Sequence, residues 1–79
     1  MAGTPSISLD LRGLNCPLPV LRTRKVLRTL AQGERLVAEC TDPLAAIDIP
    51  HLVRETGNTL ERQDTSNGIL IFHIKRGKG

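Results

Sequence analysis

The chain has 79 residues, which is enough for one small domain and no more. Phe72 is its single aromatic residue, which argues against a surface that stacks the bases of single-stranded nucleic acid. The formal net charge is +3, and we find neither a signal-peptide pattern nor an apolar run long enough to span a membrane. The two cysteines fit no metal-binding spacing. These features predict a cytoplasmic protein with reduced thiols and no metal site.

The first half of the chain reads as strand, helix and strand. Residues 1–6 are predicted to be a flexible tail, and alternation of apolar and polar residues predicts a strand over residues 7–12. A helix follows over about residues 17–31, with Gly33 as its stop. Pro17 suits the first helical position because its missing N–H has no partner there. Since a residue before proline resists helical angles, a start at Pro19 is the alternative. A second strand is predicted over residues 34–41.

The second half reads as a helix and two strands. Asp42 and Pro43 predict a short turn over residues 43–47. Because a proline deep inside a helix is costly, Pro50 predicts that the helix restarts, capped by Asp48, and covers residues 49–56. Strands are predicted over residues 58–64 and 69–74, separated by a turn at residues 66–68, and the chain beyond residue 75 is predicted to be a flexible tail. The order βαβαββ predicts one α+β domain with two helices on one face of a sheet.

Residues 12–19, Arg-Gly-Leu-Asn-Cys-Pro-Leu-Pro, place Cys16 directly before the first helix. A helix N-terminus and nearby cations such as Arg12 stabilise a thiolate, so we expect a moderately lowered pKa for Cys16. The loop after a first strand lies at the carboxyl edge of the sheet, where reacting groups usually sit. Cys16 is therefore predicted to be an exposed nucleophile at one end of the molecule.

The first predicted helix is strongly basic, since no acidic residue lies between Asp10 and Glu34. A helical projection turns Val20, Thr23, Val26, Leu27, Leu30 and Ala31 towards the sheet. Leu18 and Leu21 fall on the other side, among cations. One interpretation is a docking surface with an apolar centre and a charged rim; the other is an ordinary solvated helix face. The predicted docking residues are Leu18, Leu21, Arg22, Arg24, Lys25 and Arg28.

The remaining candidates offer little catalytic machinery. Cys40 shares a strand face with Leu36 and Ala38 and is predicted to be a buried core residue, with a secondary redox role left open. His51 and His73 are predicted to lie on the surface, and nothing in the sequence ties either one to Cys16. A thiol without a base or a cofactor motif is suited to carrying sulfur covalently, as a persulfide.

Residues 9–20 resemble the signature of the TusA/SirA-like sulfur-carrier family, whose mark is Cys-Pro-x-Pro, and the likeness continues through residues 41–43 and 48–50. The resemblance implies a two-layer α/β sandwich with a four-stranded mixed sheet, similar to the C-terminal domain of translation initiation factor three. It implies that Cys16 carries the sulfur and that Arg12, Gly13, Pro17 and Pro19 support it.

The resemblance also implies the partners. The donor would be a cysteine desulfurase or a rhodanese, and the acceptor a DsrE-like or other sulfur-accepting protein. The sulfur would serve tRNA thiolation, cofactor biosynthesis or sulfur oxidation. Leu18 stands where the carriers for tRNA thiolation have an acidic residue. The chain would act as a sulfurtransferase-type carrier rather than a free-standing enzyme, with no cofactor besides the persulfide sulfur.

Two other hypotheses remain open at this stage. The basic helix and the fold resemblance favour a small RNA- or DNA-binding or regulatory module, although the missing aromatics make direct nucleic-acid binding unexpected. Alternatively, Cys16 and Cys40 form a thiol–disulfide switch. The first alternative leaves Cys16 without a role, and the second predicts that Cys40→Ala abolishes activity.

Overall fold

The computed structural model describes residues 6–77, and its elements follow the predicted order βαβαββ. Residues 1–5 and 78–79, which belong to the predicted tails, lie outside the described residues. The elements are β1 (Ser6–Leu11), α1 (Leu18–Thr29), β2 (Arg35–Cys40), α2 (Ala45–Glu55), β3 (Thr59–Ser66) and β4 (Ile69–Lys75).

The chain remains attached to the domain after β4. The Arg76 N–H donates to the carbonyl oxygen of Glu34 at 2.7 Å, and the Gly77 N–H donates to Asn58 Oδ1 at 2.8 Å. Ser6 likewise belongs to β1. Ser6, Arg76 and Gly77, which flank the predicted span of residues 7–75, thus make contacts with the domain.

The four strands form one mixed sheet in the order β1-β2-β4-β3. β1 and β2 are parallel, with Leu11 opposite Cys40, whereas β4 is antiparallel to both β2 and β3. Parallel pairing places the carboxyl ends of β1 and β2 at the same edge of the sheet. The loop after β1, which contains Cys16, therefore lies beside the loop after β2.

The core lies between one face of the sheet and the two helices, which confirms the predicted α+β sandwich. Alternate residues of β2 and β4 point into it, and both helices contribute their apolar stripes. Its buried members include Leu11, Leu27, Leu36, Ala38, Cys40, Ile49, Val53, Phe72 and Ile74. Cys40 is fully buried, as predicted, and burial raises the pKa of its thiol to about 11.

A tight turn joins β3 and β4. Asn67 and Gly68 both have positive φ angles, of 50° and 77°, as a two-residue hairpin turn requires. Because the turn takes only these two residues, β3 extends to Ser66, beyond the predicted end at residue 64.

The first helix is shorter than the predicted span of residues 17–31. Pro17 is its N-cap, and Pro19 lies buried in the first turn. The helix ends at Thr29 because Leu30 adopts an extended backbone, with ψ of 145°. Leu30 stays buried, but Ala31, predicted to face the sheet, is exposed because it lies beyond the helix.

The second helix contradicts the predicted restart at Asp48. It runs continuously from Ala45, with Pro50 inside it, because the turn at Asp42 leads directly into the helix. An interior proline costs about 3 kcal/mol. The helix also buries Ile49, Leu52 and Val53, which contribute roughly 1.5–3 kcal/mol each. Burial therefore outweighs the proline penalty and holds the helix together.

We expect Pro50→Ala to stabilise the protein by about 1–2 kcal/mol. Alanine supplies the missing N–H and has a better helix propensity, which raises the free energy of unfolding. Loss of the proline also makes the unfolded chain more flexible, which lowers the free energy of unfolding by up to about 1 kcal/mol. Urea denaturation measures the free energy of unfolding, with Pro43→Ala in the exposed preceding turn as the control. Equal or lower stability of Pro50→Ala would mean that the ring packs well enough to offset its backbone defect.

Candidate functional site around Cys16

The loop that carries Cys16 is held in place by the loop after β2. The Gly13 N–H donates to Thr41 Oγ1 at 2.8 Å, and the Cys16 N–H donates to Asp42 Oδ2 at 2.6 Å. The other carboxylate oxygen of Asp42 accepts the Leu44 N–H at 3.0 Å. Asp42 thus connects the backbone of Cys16 to the turn that begins α2.

The Cys16 side chain is exposed, as predicted, and lies next to α2. Its thiol donates to Asp48 Oδ2 over 3.5 Å. The peptide bond between Cys16 and Pro17 is cis. An open groove of about 250 Å³ between the helices surrounds the thiol, lined by Cys16, Pro17, Val20, Arg24, Asp48, His51, Leu52 and Glu55.

The expectation of a lowered Cys16 pKa is wrong for the protein on its own. The hydrogen bond to Asp48, together with desolvation and the negative charges of Asp48 and Asp42, raises the pKa of the thiol. The start of α1 also offers few free N–H groups, because Pro17 and Pro19 have none and the Leu18 N–H donates to the carbonyl oxygen of Asn15. The neighbouring carboxylates therefore raise the pKa of Cys16, and the start of α1 offers few N–H groups to oppose them.

Arg12 does not act as the activating cation that the sequence suggested. Its Nε and Nη2 donate to the two carboxylate oxygens of Asp10 at 2.9 and 3.0 Å. This pairing, with a further bond from the Arg12 N–H, holds the pKa of Asp10 at about 2. Arg12 is thus tied to Asp10 at the end of β1. The next residue, Gly13, has a positive φ of 82°, a conformation that glycine adopts readily.

The predicted docking residues divide into two groups. Leu18 and Leu21 are 42% and 51% exposed, and Arg22, Lys25 and Arg28 are exposed beside them. Arg24 instead is half-buried and lines the Cys16 groove as well as a neighbouring cavity of about 570 Å³. We call Leu18, Leu21, Arg22, Lys25 and Arg28 the α1 surface.

Sequence reasoning did not place Thr41, Asp42 and Asp48 at the site, although it noted both aspartates as helix-start signals. Parallel pairing of β1 with β2 would have predicted that the loops following these two strands lie side by side. His51, which nothing in the sequence tied to Cys16, is exposed as predicted and lines the same groove, with its Nε2 3.3 Å from Glu55 Oε2. His73 lies elsewhere, 3.7 Å from Asp64 on the sheet.

Two further findings describe the site's surroundings. Within residues 6–77, no group of three or more His, Cys, Asp or Glu side chains is arranged to hold a metal ion. No helix in the same part of the chain is long and apolar enough to cross a membrane.

The site is thus an exposed cysteine, followed by Pro-x-Pro, at the carboxyl edge of a small α+β sandwich. The model of the family described as sulfurtransferase TusA matches residues 7–76. The chain belongs to this family.

Relatives agree in sequence and in fold. A sulfur carrier protein TusA from Allochromatium vinosum is 40% identical over 68 residues, covering 86% of this chain and 90% of its own length. A putative sulfur carrier protein from Aquifex aeolicus is 38% identical over 87% of this chain, which spans only 35% of that longer protein. The crystal structure of a SirA-like protein from Desulfitobacterium hafniense has a TM-score of 0.80 and 25% identity, covering 91% of this chain and 99% of the other.

We expect Asp42→Ala to destabilise the protein by about 0.5–2 kcal/mol, because it removes the carboxylate that accepts the exposed N–H groups of Cys16 and Leu44 at the turn into α2. Amide hydrogen exchange at Cys16 is expected to accelerate more than the loss of global stability explains. Asp64→Ala, which removes a carboxylate from surface ion pairs on β3, is the matched control and should cost less than about 1 kcal/mol. Unchanged exchange at Cys16 in Asp42→Ala would contradict the bracing role of Asp42.

Proposed function

We propose that this protein is a sulfur carrier that accepts sulfane sulfur on Cys16 as a persulfide and passes it to another protein. The observation that carries the proposal is the exposed Cys16 thiol on a loop braced by Thr41 and Asp42, in a member of this family. Exposure at one end of a small domain allows the sulfur to enter a partner's active site. The bracing limits the conformational freedom that docking must remove.

The transfer is a thiol exchange without net oxidation or reduction. The Cys16 sulfur attacks the outer sulfur of a donor cysteine persulfide, a new S–S bond forms on Cys16, and the donor's S–S bond breaks. The proton lost by Cys16 ends on the donor cysteine, which leaves as a thiol. Discharge is the same reaction with an acceptor thiol. The chain needs no cofactor for either step, and it works as a relay rather than as a free-standing enzyme.

The proposed donors are a cysteine desulfurase or a rhodanese, and the proposed acceptor is a DsrE-like or other sulfur-accepting protein. We place the exchange in the cytoplasm, where thiols are kept reduced. Direct binding of nucleic acid is not part of the proposal, because Phe72 is fully buried in the core and offers no stacking surface. Burial of Cys40 likewise argues against a switch that pairs it with Cys16.

We further propose that partners dock on the α1 surface. Its two leucines supply exposed apolar area close to Cys16 in the chain, and its three cations form the rim. Such a rim attracts an acidic partner and speeds the encounter, an effect that salt weakens.

The first test is intact mass after incubation with a cysteine desulfurase and cysteine, and separately with a rhodanese and thiosulfate. We expect a gain of about 32 Da, one sulfur atom, that dithiothreitol reverses. The gain should be lost in Cys16→Ser and kept in Cys40→Ser.

The same variants separate the alternatives. If neither donor adds sulfur, the carrier proposal fails, and salt-sensitive RNA binding that survives Cys16→Ser would support the nucleic-acid hypothesis. Loss of activity in a folded Cys40→Ser variant would instead favour the disulfide switch.

The docking proposal predicts that Arg22→Glu with Lys25→Glu slows sulfur transfer between proteins, roughly tenfold or more at low salt. Alkylation of Cys16 by iodoacetamide should stay close to the wild-type rate, because the α1 surface acts on the encounter. The matched control is Arg54→Glu with Arg62→Glu, which makes the same change in net charge on α2 and β3. Equal slowing by both double variants would mean that net charge, and not the α1 surface, controls transfer.

A further inference from the structure

The thiol of Cys16 faces a carboxylate, which is an unusual neighbour for a nucleophile. Sγ lies 3.5 Å from Asp48 Oδ2, and a second carboxylate, that of Asp42, accepts the Cys16 N–H. Both aspartates are half-buried, so water screens them less than it would on an open surface. The charged or titratable side chains that face Cys16 from α1, from α2 and from the loop after β2 are Arg24, Asp42, Asp48, His51 and Glu55.

We propose that the Asp48 carboxylate holds the Cys16 thiol in its protonated, weakly nucleophilic form in the free carrier, and that neutralising this carboxylate releases the nucleophile. The inference deepens the proposed function and rests on it, because it concerns how the same cysteine is kept between loading and discharge.

The argument is electrostatic. A thiolate would place a second negative charge beside Asp48, whereas the thiol donates its proton to that carboxylate, so the contact favours the protonated form. The pKa of Cys16 is raised, with the hydrogen bond to Asp48 as the largest cause. Arg24 of α1 also lines the groove, but Asp48 is the charged group in hydrogen-bond contact with the sulfur.

Restraint of this kind suits an exposed carrier cysteine. The thiolate, and not the thiol, is the form that attacks oxidants and stray disulfides, so a protonated Cys16 is protected while the carrier diffuses. A cationic side chain of a docked partner, paired with Asp48, would remove the penalty at the moment of transfer. The proton then leaves Cys16 and ends on the donor cysteine, so the exchange stays balanced.

The test is the rate of iodoacetamide alkylation of Cys16 as a function of pH, followed by mass. We expect Asp48→Asn to move the alkylation profile to lower pH and to raise the rate at pH 7 by roughly threefold or more, since a larger thiolate fraction outweighs the small loss in intrinsic nucleophilicity. Glu55→Gln is the matched control, because it removes the same charge from the same groove without touching Sγ, and its profile should stay near that of the wild type.

Three results would overturn the inference. One is an unchanged or higher-pH profile in folded Asp48→Asn, and another is an equal shift in Glu55→Gln, which would assign the effect to general groove charge. If Asp48→Asn does not fold, the wild-type profile decides: a midpoint at or below about 8.5, the ordinary cysteine value, rules the restraint out. Alkylation does not depend on sulfur donors, so this failure is distinct from a failure of persulfide loading.

Discussion

The parallel pairing of β1 with β2 is the constraint on which the site depends. Register places Leu11 opposite Cys40, so the two chain segments leave the sheet side by side. The first segment then needs acceptors for its N–H groups, and the second supplies them from Thr41 and Asp42. Had the strands paired in antiparallel order, the loops would lie at opposite edges and Cys16 would have no brace.

The same arrangement determines the electrostatics of the thiol. An aspartate is a strong acceptor for the N–H groups of a loop. Another aspartate in the first turn of a helix stabilises that helix, because its negative charge interacts favourably with the positive end of the helix dipole. Asp42 and Asp48 fill these two structural roles, and both also face Cys16. Features that stabilise the start of α2 therefore raise the pKa of the cysteine at the start of α1, and the reactivity of the free thiol is coupled to local folding.

Much of the fold follows from the sequence because its signals are local. Alternation in β2 and β4, the Asn67–Gly68 turn and the exposed Leu18 and Leu21 all follow from residue spacing and turn chemistry. The errors occur where a distant contact overrides a local preference. Pro50 predicts a helix break, but packing of Ala45, Ile49 and Val53 in the core, on both sides of the proline, keeps α2 continuous.

The site itself was predicted in part for the same reason. Cys16, its exposure and its place before α1 can be inferred from one short segment, whereas its neighbours come from residues 26 and 32 positions further along the chain. The sequence close to Cys16 therefore shows its neighbouring cations but not the carboxylates of Asp42 and Asp48. Most of the basic residues of α1 are exposed, and we propose that they act on the encounter with a partner. The two aspartates act on the sulfur, because they touch the backbone and the side chain of Cys16. We propose that the protein thus separates attraction of a partner, by cations spread along α1 as far as Arg28, from control of the thiol at the N-terminal end of that helix.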